Sequence, residues 1–243
     1  MEIDQFLELA RKRRSIRQFR PDPVPDELVE KILEAARWAM SGANGQPWEF
    51  IVVRDKKLMA QLFEAGSESE RQTAALETSR TQEMRQPWYR NLPETVPASR
   101  FSDAPVILAV LGDPRTAQAT VLNRLCDRRW VVDENIANAT QIIHLAAAAC
   151  GLGSQWVTVD RYFEDLIRPI LRVPPILRIF SLVPLGFPAL EPKKPYRRAL
   201  QEIVHRDTYD MGKYRSHEAV QEFIRDLRQH SKRAYPLNGG VRD

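Results

Sequence analysis

Apolar positions along this chain fall into runs whose period changes from helical to strand-like and back. Ile3, Phe6, Leu7 and Ala10 predict a first helix with that face turned inward, and Leu28, Val29, Ile32, Leu33 and Ala36 predict a second. Phe50-Ile51-Val52-Val53 reads as a buried strand, and Lys56 to Ala65 as a helix of a second layer. Ala104 to Leu111 is another buried strand by its unbroken apolar run and by the Gly112-Asp113-Pro114 turn that stops it. Ile136, Ala139, Thr140, Ile143, Ala146, Ala147 and Cys150 keep helical spacing up to Gly151, placed as a C-cap. This helix has so little polar face that it must be covered on several sides, by the domain core or by another subunit. A short strand within Gly151–Val159, a helix over 162–171 and a strand over Phe180–Leu185 follow. A charged helix from His217 to Gln229 then places Val220, Phe223, Ile224 and Leu227 on one face.

Between these elements, Gly66 to Ser102 is rich in Ser, Glu, Gln, Thr and Arg and weakly periodic, the mark of a mobile or functional insertion. Its aromatic pair, Trp88 and Tyr89, serves either to close over a substrate or to anchor the segment. The 243 residues suffice for one domain with an appendage, expected at 1–206 and 207–243, with 66–102 as a lid-like insertion. Hydrophobic residues at 43% and charged residues at 28% are ordinary globular values. The net charge of +4 is spread along the chain, 36 basic residues against 32 acidic, and nothing reads as a nucleic-acid recognition helix. The apolar stretch from Pro169 to Phe187 is broken by Arg172, Arg178 and further prolines, so no membrane span is expected. The start Met1-Glu2-Ile3-Asp4 lacks a secretory signal and two cysteines make no disulfide framework, so a reducing cytoplasm is the default. Cys150 reads as a packed thiol.

Chemistry concentrates in two segments. Arg13, Arg14 and Arg17 with Ser15 gather guanidinium forks and a hydroxyl suited to an anion, or else form the solvated end of the first helix, where the dipole favours cations. In Ser41-Gly42-Ala43-Asn44-Gly45-Gln46 small side chains allow close approach to a flat ligand, with two amides for a heterocycle edge. The same stretch also reads as an ordinary helix-to-strand loop. The glycines of Gly151-Leu152-Gly153 do not make a dinucleotide fingerprint: they follow a helix, and Trp156 stands where the third glycine belongs. His144, His205, His217 and His230 share no metal-like spacing, and no acyl-transfer or phosphoryl-transfer signature is present.

RRSIRQF at 13–19, SGANGQPWEF at 41–50, GLGSQW at 151–156 and the basic stretch from Gly186 to His205 occur in an order that resembles the FMN-dependent nitroreductase family over residues 3–206. That resemblance implies an α+β fold, a three-layer αβα sandwich on a mostly antiparallel sheet. It also implies a domain-swapped homodimer with one FMN per subunit at the interface and NADPH or NADH as electron donor. Carried over by position, Arg13, Arg14, Ser15 and Arg17 become flavin contacts, and Arg197 or Arg198 completes the phosphate site. Ser41, Gly42, Asn44 and Gln46 match the loop that reaches the flavin of the other subunit. Gln155, Trp156, Val157 and Thr158 match the segment running past the ring. One departure is Met40, where the family often has proline, which implies a different path into the loop and a sulfur against the ring.

The flavin carries the chemistry, so no side-chain acid or base is assigned, and reduction of a small nitroaromatic or quinone-type acceptor is the leading expectation. The alternatives are a reductive dehalogenase resembling iodotyrosine deiodinase and a non-catalytic FMN-binding sensor. The 66–102 segment supplies Glu77, Glu83 and Tyr89 but no lysine for the zwitterion clamp that the dehalogenase requires.

Overall fold

The computed structural model describes residues 2–81, 101, 103–119, 121, 130–190, 192 and 194–234. The chain divides into two compact units, 1–190 and 191–243, so the boundary falls within the basic stretch from Gly186 to His205 and not at 206.

In the first unit, helices α1 (Ile3–Lys12) and α2 (Asp26–Ala36) precede strand β1 (Trp48–Val53) and helix α3 (Lys56–Thr78). Strand β2 (Val106–Gly112), helix α4 (Trp130–Ala149), strands β3 (Gly153–Ser154) and β4 (Val157–Thr158), helix α5 (Arg161–Leu171) and strand β5 (Arg178–Gly186) follow. The five strands form one sheet in the order β1-β2-β5-β3, with β4 also on β5, and every strand pair is antiparallel.

Alternation along the strands divides the core in two. Trp48, Phe50, Val106, Leu108 and Val110 face Val29, Ile32, Ala36, Val132, Ile136, Ala139, Ile143 and Ala147 of α2 and α4. Ile51, Val53, Ile107, Ala109 and Leu111 face Leu62, Ala65, Phe163 and Ile167 of α3 and α5. The sheet therefore lies between two helical layers, the αβα sandwich expected. In β5 the alternation breaks: Val183 and Leu185 join the α4 side, while Leu182 and Ile179 both join the other. The cause is a bulge. Val110 pairs with Ser181 but Leu111 pairs with Ile179, which leaves Phe180 unopposed and packed toward α4.

Two sequence expectations need correction. The apolar face of α1 is not buried: Ile3, Phe6 and Leu7 are 67, 37 and 39% exposed. Nor does the helix begun at Lys56 stop at Ala65. It runs to Thr78, because Gly66, Ser67, Ser69 and Ala74 are small enough for burial where α3 packs on α5. Asp55 caps α3 by accepting from the backbone N–H groups of Lys57 and Leu58. At the other end of α4, Gly151 takes φ +74°, the left-handed turn that a C-terminal glycine permits. Half-buried Cys150 packs against the α4 core, whereas Cys126 lies outside the described residues.

The second unit holds α6 (Leu200–Ile203) and α7 (His217–Ala234), with Val220, Phe223, Ile224 and Leu227 of α7 half-buried. Tyr196 meets the Phe223 ring edge-on and the Arg215 guanidinium lies over that ring, 4.9 Å from its centroid.

Candidate functional site

The arm after α1 and the turn after α4 are far apart in sequence, yet the sheet edge brings them together. Ser15 bridges Ser154, and the Ile16 N–H donates to the Ser154 carbonyl at 2.9 Å. Gly153 allows this close approach: a Cβ there would lie 2.6–2.8 Å from three carbons of Ile16. Arg13, Arg14, Ser15 and Arg17 thus flank the contact of the arm with Ser154, the residue that precedes Gln155, Trp156, Val157 and Thr158, and all four arm residues are half-buried.

Beneath this junction is His144 of α4, only 4% exposed. Its Nδ1 is 2.8 Å from Ser154 Oγ, and its ring stacks on Trp156 with centroids 5.9 Å apart. Trp156 also meets the bulged Phe180 edge-on, so its indole is turned onto the protein. Burial, with the positive charge of Arg13 adding to it, lowers the His144 pKa to about 4. The ring is neutral at pH 7. No sequence feature except a polar residue one turn beyond Thr140, in the buried stripe of α4, pointed to it.

Buried polar atoms normally have partners. Around this junction three do not among the described residues: Arg14 Nε, Gln155 Oε1 and His144 Nε2. The Nη1 of Arg14 is bound to the Arg11 and Arg13 carbonyls, so the guanidinium is held in place with its Nε unsatisfied.

The second predicted segment lies elsewhere in the first unit. The Gly42 N–H donates to Asn135 Oδ1 at 3.1 Å, and Asn138 Nδ2 donates to the Met40 carbonyl at 3.3 Å, which seats the loop on the first half of α4. From Asn135 to His144 the helix rises about 14 Å at roughly 1.5 Å per residue. Ser41, Gly42, Asn44 and Gln46 are therefore not brought to Arg13–Arg17 within the chain. The loop's turn is made by Ala43, Asn44 and Gln46, at φ 53, 53 and 42°, and not by its glycines. Ser41 Oγ accepts from the Gln46 N–H at 3.0 Å and closes it. Met40 leaves its side chain exposed.

Arg197 and Arg198 belong to the second unit, where Arg197 donates to the Tyr196 carbonyl and Arg198 binds Glu202. Trp88 and Tyr89 lie outside the described residues, as does Glu83, while Glu77 pairs with Arg80 at 3.1 Å. Among the described residues no cluster of His, Cys, Asp and Glu is arranged for a metal ion, and no helix is long and apolar enough to cross a membrane.

The chain is 32% identical to an NADH dehydrogenase of Thermus thermophilus over 80% of this chain and 92% of that protein. An iodotyrosine deiodinase of Thermotoga neapolitana is 28% identical over 85% of this chain and its own full length. In structure, an FMN-dependent nitroreductase of Clostridium difficile R20291 superposes with a TM-score of 0.60 at 25% identity, covering 84% of this chain and 99% of its own. The nitroreductase family model matches residues 10–187, from the arm through the bulged strand. By that match and by its antiparallel αβα sandwich, the chain belongs to the nitroreductase family.

Proposed function

We propose that this protein is an FMN-dependent oxidoreductase that uses NADH or NADPH to reduce nitroaromatic or quinone-type acceptors, and that it works as a homodimer. The observation that carries this reading is the unsatisfied donor and acceptor at the arm junction, Arg14 Nε and Gln155 Oε1. A guanidinium N–H suits a phosphate or carbonyl oxygen, and an amide oxygen suits the imide N–H of a flavin. The residues present thus fit FMN. Family membership and the FMN-dependent nitroreductase relative support the same cofactor.

The chemistry that bound flavin supplies is uptake of a hydride from a reduced nicotinamide and delivery of the electrons to an acceptor. The chain's own part is to bind and tune. Arg13, Arg14 and Arg17 provide positive potential for a phosphate and for the negative charge that electron uptake brings to the site. Gln155, next in the chain to the Ser154 that the arm contacts, supplies a buried acceptor with no partner among the described residues. No side chain here is required to move a proton.

Dimerisation is supported by geometry within a protomer. The Ser41–Gln46 loop is held too far along α4 to serve its own arm, so it is available to a partner's. The exposed Ile3, Phe6 and Leu7 of α1 offer apolar surface for such pairing.

The test is an anaerobic visible spectrum of the FMN-loaded protein before and after NADPH or NADH, followed by a nitroaromatic and, separately, a quinone. Bleaching by the nucleotide and recovery with either acceptor is expected. Failure to take up FMN would overturn the reading at its root. Reductive dehalogenation is the second reading, favoured by the deiodinase relative. It would replace the first if 3-iodotyrosine reoxidised the site while nitroaromatics and quinones did not.

A further inference from the structure

His144 lies in the layer behind the proposed cofactor site and makes two contacts with the turn that forms one side of it. Its Nδ1 meets Ser154 Oγ, and its ring face meets Trp156. Gln155, with its unsatisfied Oε1, lies between two residues pinned to one imidazole. The pinning extends further, because the Ser154 carbonyl accepts the Ile16 N–H and Ser15 pairs with Ser154. Neither Ser154 nor Ile16 carries a charge, and the charged group felt by the ring is Arg13 of the arm.

We infer that His144 is a positioning residue of this site: it fixes Ser154 through Nδ1 and Trp156 through its ring face, and through the Ser154 carbonyl it sets the place of the Arg13–Arg17 arm. The inference rests on the FMN reading above. A neutral ring is what the position needs, since a second cation beside Arg13 would push the arm away, and burial keeps it neutral at pH 7. The hydrogen bond works in either tautomer, with the hydroxyl of Ser154 donating to Nδ1 or accepting from it.

The test compares FMN affinity, read by flavin fluorescence on the full chain, in wild type, His144→Leu, Ser154→Ala, the double variant and His144→Asn. His144→Leu keeps an apolar filling of the stripe but removes the bond. His144→Asn keeps a polar atom near the position of Nδ1. Each of the first two variants is expected to bind FMN about 5–10-fold more weakly, the size of one lost hydrogen bond. The double variant should be no weaker than the weaker single, because both remove the same contact. His144→Asn should recover most of the loss. Urea unfolding and far-UV circular dichroism on the same samples separate this from general destabilisation, which would move the unfolding midpoint and leave affinity unchanged in the folded fraction. Wild-type affinity in both single variants, or losses that multiply in the double variant, would overturn the positioning role while leaving the FMN reading intact. A wild-type protein that binds no FMN would overturn both.

Discussion

Gly153→Ala tests the junction on which the candidate site depends. The added Cβ would lie 2.6 Å from Ile16 Cγ1, 2.7 Å from Cβ and 2.8 Å from Cγ2. Carbon atoms in contact sit about 3.5–4.0 Å apart, so the arm or the turn must give by roughly 1 Å. Overpacking of this kind costs about 1–3 kcal/mol. Gly153 does not have a positive φ, so alanine fits its backbone, and the loss of unfolded-state freedom returns about 0.4–1 kcal/mol. The net expectation is a loss of about 1–2 kcal/mol in urea unfolding, with FMN affinity falling as well, because the Ile16 N–H to Ser154 carbonyl bond lies beside the clash. Adding Ile16→Ala removes both γ carbons but leaves the Cβ contact at 2.7 Å, so the double variant should be rescued in part. A double-mutant cycle should show favourable coupling of about 1 kcal/mol. If the two substitutions simply add, or if Gly153→Ala alone retains wild-type stability and FMN affinity, the close approach is not what fixes the arm.

Three further outcomes are expected. The folded His144 pKa of about 4 lies below its ordinary value of 6.5, so the unfolded chain takes up the proton first as the pH falls. The stability linked to His144 is whole above pH 6.5, declines between 6.5 and 4, and is level below that. Its full size is about 3 kcal/mol, and a urea series across that range should show a component of this size missing from His144→Leu. Buried Glu164 accepts from the Ile179 N–H at 2.9 Å and from Arg168, whose Nη1 also binds the Pro174 and Leu177 carbonyls. Glu164→Ala should cost about 3 kcal/mol in urea unfolding by leaving Arg168 without its carboxylate, and Glu164→Gln distinctly less because the amide oxygen still accepts from Ile179. Ala43→Gly should be neutral or stabilising by up to about 1 kcal/mol in thermal unfolding, since a glycine relieves the left-handed backbone at φ 53°.

The sandwich was legible where apolar runs match one periodicity, as in β2 and α4. It was obscured where burial is achieved by small polar residues: Ser67 and Ser69 look like surface, yet both are buried in α3. In α1 the opposite holds, because an apolar stripe left exposed on the chain looks like core in the sequence. Arg13, Arg14, Ser15 and Arg17 stood out as candidates for binding an anion from residue type alone, but the arm's meeting with Ser154 is a contact between distant segments that local patterns do not encode. His144 was invisible for a similar reason. A lone histidine in an apolar helix acquires a role only through what packs on it, here Ser154 and Trp156.

The bulge at Phe180 has a bearing on how this protein can change. The faces of β5 exchange at that residue, so the parts of the strand before and after it alternate out of phase against the two helical layers. Ile179 packs in the layer of α5 while its neighbour Arg178 reaches Asp133 of α4, and from Ser181 onward the strand pairs with β4 and β3 and sends Leu182 to the α5 side and Val183 and Leu185 to the α4 side. Phe180 is the seam, and its contact with Trp156 ties the seam to the proposed site. Deleting this single residue would regularise the ladder while withdrawing the aromatic support of Trp156, so natural variation in the length of this strand should track the identity of residue 156 rather than the hydrophobicity of the core.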